Sequence, residues 1–194
     1  MTKLATENEI HKALYFLNSS WQVQNDKQDQ DTGFIYHCQR LDQVIDLATS
    51  NEIDMGYAIH RWYNFECSKT VENIFCEFGA VPYPDEKDHD IDITIEGIPF
   101  DIKLSIISNK YNGDLDLTKR ANKDKYMQWL LDNASQEGRK HTKNKIFVIC
   151  DKLSDKCLFN EIRYKVECFM AYFKENIDKY KDKDINELIY VKGE

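Results

Sequence analysis

A chain of 194 residues with 42% apolar and 12% aromatic side chains is long enough for one packed core and too short for two comfortable ones, which excludes a largely disordered protein. No apolar run approaches bilayer-spanning length. The opening MTKLATENEIHKALYFL carries acids and a histidine where a secretory signal keeps an unbroken apolar segment, so a soluble, cytoplasmic protein without a membrane partner is expected, and the net charge of −8 argues on average against a polyanionic partner.

Thr6 followed by Glu9 reads as a capping box that opens a helix through about Leu17. The polar segment SSWQVQNDKQDQDTG reads as a loop ending in the turn dipeptide Thr32-Gly33. FIYHCQRLDQVIDLATS reads as a short extended piece running into a helix with Leu41, Val44, Ile45 and Leu47 as its apolar positions. A long helix is expected from Asn51 to Phe78, with Ile59, Trp62, Val71, Ile74, Phe75 and Phe78 in its apolar stripe; Gly79 can take the left-handed cap that ends it. AVPYP then gives a short strand and DIDITIEGIPFDIKLS a hairpin. After a polar connection come a helix over about Ala121 to Asn133, a basic loop, and the β-branched run KIFVIC as a buried strand at Lys145 to Cys150. A helix from Asn160 to Tyr180, with Val166, Phe169, Phe173 and Ile177 at helical spacing, precedes a last strand in NELIYVK.

Six cysteines (Cys38, Cys67, Cys76, Cys150, Cys157 and Cys168), widely spaced and without a C-x-x-C pair, suit buried reduced thiols better than zinc ligands or disulfides. There is no Gly-rich phosphate loop, no G-x-S-x-G and no distinctive Cys/His spacing. Charge is unevenly spread. Between Lys119 and Lys145 stand eight basic residues (Lys119, Arg120, Lys123, Lys125, Arg139, Lys140, Lys143, Lys145) against three acids, so this stretch is +5 while the rest of the chain is −13. It is either a solvated helix face with its loop or a nucleic-acid contact.

The hairpin carries the chemistry. Strand alternation puts Asp90, Asp92 and Thr94 on one face and Asp101, Lys103 and Ser105 on the same face of the second strand. With the turn centred on Glu96-Gly97, residues whose numbers sum to 193 lie opposite one another, so Asp92 faces Asp101 and Asp90 faces Lys103. Glu is a poor first residue for a tight type I′ turn, and a longer loop with a bulge would shift that register. Opposed carboxylates repel unless a cation sits between them, and Mg²⁺ favours one or two carboxylates with waters and phosphate oxygens. Lys103 lies about 7 Å along the strand from Asp101. The alternative is an exposed antiparallel face of mixed charge.

An Asp at the end of one strand, a D-x-K tripeptide on the next and a Glu on the helix before them resemble the PD-(D/E)XK nuclease superfamily. The pieces are Glu72 in KTVENIF, Asp92 or Asp90 in DHDIDITI, and Asp101 with Lys103 in FDIKLS. The resemblance covers residues 51–150 and implies an α/β, restriction-endonuclease-like αβββαβ core with a mixed central sheet flanked by helices. It would sit within one domain, after an N-terminal helical extension at 1–50 and before a C-terminal helix and strand at 151–194. It further implies Mg²⁺, with Mn²⁺ as substitute, held by Asp92 and Asp101. Glu72 would reach the metal directly or through water, on a polar stripe with Ser68, Asn64 and His60, and Lys103 would orient the attacking water or neutralise the developing phosphorane charge. The implied activity is phosphodiester hydrolysis of nucleic acid, DNA ahead of RNA, with Lys119, Arg120, Lys123, Arg139, Lys140 and Lys143 on the backbone; a double-strand cut would be easiest for a homodimer. The literal Pro84-Asp85 falls too far upstream to line the hairpin. A non-catalytic nucleic-acid-binding module of the same fold is the other reading.

Overall fold

The computed structural model describes residues 4–17, 26–85, 91–133, 144–180 and 183–193, and the chain falls into two compact units, residues 1–70 and 71–194. Among the described residues it is an α/β protein with six α-helices and one five-stranded mixed sheet, and no helix is long and apolar enough to cross a membrane.

In the first unit, α1 (Glu7–Ala13) opens at Thr6, whose hydroxyl accepts the Glu9 N–H at 3.3 Å. The box does not close on itself. The Glu9 carboxylate pairs with Lys12 and accepts, at 3.1 Å, the N–H of Leu41, the first residue of α3 (Leu41–Ser50), so one acid serves two helices. α1 ends at Ala13, short of the expected Leu17. The polar segment expected as a loop contains a short helix α2 (Asp26–Asp31), with residues 18–25 outside the described part. The extended piece expected after it is a 3₁₀ turn, Gly33–His37, closed by the Ile35 N–H on the Thr32 carbonyl at 3.1 Å and burying Ile35.

α4 (Met55–Glu77) starts later than the expected Asn51 because α3 terminates there with its own cap. Ile53 N–H returns to the Ala48 carbonyl (2.9 Å) and Glu52 N–H to that of Thr49 (3.2 Å), a Schellman arrangement that forces Glu52 to φ +56°. Asp54 then starts the new helix, its carboxylate accepting Tyr57 N–H at 2.7 Å.

In the second unit, α4 stops as Gly79 predicts: φ is +97°, and the Ala80 and Gly79 N–H groups return to Phe75 and Cys76, both at 3.1 Å. The sheet runs in the order β1 (Val81–Pro82), β2 (Ile93–Ile95), β3 (Ile98–Ile106), β4 (Lys145–Cys150), β5 (Asn186–Val191). β1, β2 and β3 are antiparallel neighbours, whereas β3, β4 and β5 are parallel. α5 (Arg120–Asn133) supplies the crossover between β3 and β4; α6 (Phe159–Glu175), followed by a 3₁₀ turn in place of the expected last turns, supplies that between β4 and β5.

The hairpin turn has the two residues that the simplest register needs. Glu96 (φ +51°) and Gly97 (φ +78°) both take positive φ, and the pairs Ile93↔Phe100, Thr94↔Pro99 and Ile95↔Ile98 follow. The unfavourable Glu is tolerated because strands on both sides hold it. Parallel pairing places Lys103, Phe147 and Leu188 in one row and Ser105, Ile149 and Tyr190 in another, so these share a face. On that face Phe147, Ile149 and Leu188 form a core with Leu117 and with Tyr126 of α5. On the other, Phe100 meets Phe173 of α6 edge to face at 5.7 Å. KIFVIC is buried on both faces, which accounts for its unbroken apolar pattern.

All six cysteines are free thiols; Cys38, Cys67, Cys150 and Cys157 are buried and Cys76 half-buried, but Cys168 is exposed on α6. Burial pushes the Cys150 thiol up to about 12, which makes it inert.

Gly79 faces Lys174, whose ammonium donates to the Phe78 carbonyl at 2.9 Å and would lie 2.7 Å from an added Cβ. Gly79→Ala should therefore cost about 1 kcal/mol or more through positive φ and the lost lysine cap together, read as a lower urea midpoint at unchanged slope.

Candidate functional site

The site lies where the antiparallel hairpin meets the parallel part of the sheet. Asp101 is the second buried residue of β3, only 3% exposed. Its N–H donates to the Asn144 carbonyl at 3.0 Å, and its register partner on β4 is Lys145, which pairs in turn with Asn186 on β5. Parallel neighbours in register share a face, so Asp101, Lys145 and Asn186 form one row, with Lys103 a rung further along on the same side.

Two ammonium groups address the Asp101 carboxylate. Lys103 Nζ sits 2.6 Å from Oδ1 on a side chain 49% exposed, whereas Lys145 Nζ lies 4.0 Å from Oδ2 on a side chain 16% exposed. Burial nevertheless pushes the Asp101 carboxyl above the usual carboxylate range; Lys103 pulls it down, Asp92 pushes it up again, and Lys145 pulls it down more weakly. A carboxylate in that state has a high demand for cations.

Asp92 is placed differently from simple alternation. Its N–H donates to the Phe100 carbonyl at 2.9 Å although Phe100 is the partner of Ile93, so two successive residues of one strand address one residue of the other. This is a bulge, and it ends the regular ladder before Asp92 can sit squarely opposite Asp101. The carboxylate Oδ2 then accepts the Ile102 N–H at 2.7 Å, taking the place of the backbone carbonyl that the ladder no longer supplies. Asp92 thereby touches the residue between Asp101 and Lys103, and its charge acts on Asp101.

Asp90, Arg139, Lys140 and Lys143 lie outside the described residues. Glu72 is half-buried on α4, where burial and, after it, the Glu72 charge raise the Cys76 thiol. Among the described residues no three His, Cys, Asp or Glu side chains converge as a metal cage, so Glu72, Asp92 and Asp101 do not form one. The start of the basic run lies across the sheet from the hairpin. Lys123 and Arg120 act on Glu187, which is in register with Ile146 and through it with Ile102. Glu187 is on β5, two strands from β3, and alternates with Asn186, so it faces away from the Asp101 row. Lys119 and Arg120 also pair locally with Asp116 (3.0 Å) and Asp124 (3.9 Å).

Sequence reasoning counted Lys145 only as part of the basic run and overlooked Asn144. The Asn144 side chain donates to the Pro99 carbonyl (3.0 Å) and accepts the Ile185 N–H (2.9 Å). The one local signal was a polar Asn-Lys pair at the mouth of an apolar strand.

A cleft of about 840 Å³ lies in the first unit, lined among others by Asp31, Glu52, Asp54 and Tyr57. It assembles no cluster of metal ligands among the described residues. No family model matches this chain, and neither a curated protein nor a solved structure is significantly similar to it. Its own geometry therefore carries the functional argument.

The two roles open to Asp92 separate by mutation. Asp92→Ala strips the acceptor from the Ile102 N–H and should cost about 1–3 kcal/mol, whereas Asp92→Asn keeps an acceptor and should cost less than about 1 kcal/mol. Equal losses in urea denaturation would show that the carboxylate's charge, and not this hydrogen bond, holds the strand.

Proposed function

We propose that the protein is a metal-dependent endonuclease of the PD-(D/E)XK type, hydrolysing phosphodiester bonds of nucleic acid, with DNA ahead of RNA. The observation that carries this reading is the pairing of Asp101 with Lys103 at 2.6 Å beside Asp92, at the junction of the hairpin and the parallel strands. The chain order of helix, three strands, helix and strand from Met55 to Cys150 supports it, being the order that the resemblance implies.

The donor set fits a hard divalent cation. Two carboxylates beside one another, that of Asp101 buried and that of Asp92 held on the adjacent Ile102 N–H, would suit Mg²⁺, which takes one or two carboxylates and completes its shell with water and phosphate oxygens. Asp101 and Asp92 would hold it, with Asp90 as alternative to Asp92, and Glu72 would reach it only through water. Bound there, the ion would polarise the scissile phosphate and lower the pKa of an attacking water. Lys103, on its half-exposed stem, orients that water or meets the charge that develops on phosphorus.

A non-catalytic nucleic-acid-binding module is favoured by one observation: Lys103 and Lys145 already balance Asp101 without a metal. Purified protein incubated with plasmid, linear duplex, single-stranded DNA and RNA in Mg²⁺, Mn²⁺ or EDTA decides between them. The nuclease reading expects metal-dependent cutting that Lys103→Ala abolishes at a temperature where circular dichroism shows the variant folded; its melting temperature should fall, since Lys103 is the nearer cation of the buried Asp101. Binding without cutting on every substrate establishes the module.

Backbone contact is tested by salt. If the basic run holds duplex DNA, a charge-neutralised Arg139/Lys140/Lys143 variant assayed in Ca²⁺ should flatten the slope of log K against log salt by up to about 3 units, about 0.9 per lost phosphate contact. An unchanged slope makes the run a solvated surface.

A further inference from the structure

Lys103 and Lys145 are not equivalent partners of Asp101. Lys103 comes from two residues along the same strand, reaches Oδ1 at 2.6 Å and remains 49% exposed, so its flexible stem can swing the ammonium out without disturbing the core. Lys145 projects from the neighbouring parallel strand, is 16% exposed and stays at 4.0 Å from Oδ2. The first ammonium occupies the contact position on the carboxylate; the second contributes a fixed charge behind it. Asp92 cannot turn freely to help, because its Oδ2 is committed to the Ile102 N–H.

We infer that Lys103 is a tethered stand-in for the divalent cation at Asp101, so that cation binding and release of the lysine ammonium toward a substrate phosphate are one exchange. This rests on the nuclease reading for the identity of the incoming ion. An ammonium 2.6 Å from Oδ1 and a divalent ion at about 2.1 Å from the same oxygen would stand only about 4 Å apart, where like charges repel strongly, so binding of the ion favours displacement of the lysine. A tethered competitor acts at high effective concentration, so it weakens the apparent affinity for a free ion. Once displaced, the same ammonium stands within side-chain reach of the metal, where a phosphate would lie. A lysine held on the carboxylate is unavailable to substrate until the ion arrives, which orders the two events.

The exchange makes an unusual demand on a residue placed in the catalytic machinery: removing it should improve metal binding while destroying cutting. Mn²⁺ affinity of the full chain, measured by electron paramagnetic resonance without nucleic acid, tests this. Lys103→Met should bind Mn²⁺ about tenfold more tightly than wild type, about 1.4 kcal/mol. Lys103→Arg, which keeps charge and reach, should stay near wild type. Lys145→Met removes the same charge without vacating the contact position and should tighten binding clearly less than Lys103→Met. Adding Asp101→Asn to Lys103→Met should abolish the gain, and circular dichroism of each variant verifies folding. Equal tightening in Lys103→Met and Lys145→Met, or none in Lys103→Met, overturns the exchange while leaving the nuclease reading intact. Tight binding that survives Asp101→Asn overturns it too, because the ion then sits elsewhere. Absence of Mn²⁺ binding in all variants overturns both the exchange and the metal-dependent reading.

Discussion

Asn144 fastens the beginnings of three strands at once. Its carbonyl takes the Asp101 N–H, its amide nitrogen donates to Pro99, and its amide oxygen takes the Ile185 N–H. The parallel register of β3, β4 and β5 is held at this point, and the candidate site depends on that register. A slip of one residue would bring Lys145 to the opposite face, among the groups around Phe100 and Phe173, and turn Ile146 toward Asp101. An isolated charge in an apolar layer costs several kcal/mol, so the polar row and the apolar rows behind it specify the same pairing.

The row is costly in another sense. A carboxylate buried as deeply as Asp101 loses its water and recovers stability only through close cations, and such pairs often do no better than apolar residues of the same volume. Lys103 and Lys145 therefore explain how the chain tolerates Asp101 and do not explain why Asp101 is there. A use for the charge would supply the reason, and the phosphodiester hydrolysis proposed above is one that would need it. The bulge at Asp92 belongs to the same economy: it gives up one rung of ladder and sets a carboxylate where a carbonyl would have been.

Features encoded over a few residues were legible in the sequence. Gly79 ended its helix, KIFVIC became β4 with its expected bounds, and the Glu96-Gly97 turn set the register that periodicity implies. Features that depend on residues far apart were not. Glu9 looked like the second half of a local capping box, yet its carboxylate is used on Leu41. Phe34 and Ile35 have strand-like side chains, but the packing of Ile35 drew them into a 3₁₀ turn. Alternation placed Asp92 opposite Asp101, and a single bulge undid that count. No periodicity announces that Lys145 will stand beside Asp101, because parallel pairing joins strands separated by a whole helix. Nor does the composition of the basic run announce that its first residues, Arg120 and Lys123, act on Glu187 of β5.

The strand at the hairpin end of the sheet is unusually slight. β1 has two residues, Val81 and Pro82, and Val81 is 59% exposed. A proline has no N–H to offer, and a strand this short presents no continuous row of donors and acceptors to an incoming chain. Were β2 the outer strand, its apolar residues would lie next to an open backbone edge, an invitation to fibrous self-association. With Pro82 there, β1 covers the edge of β2 and itself offers an incoming chain no N–H at that position.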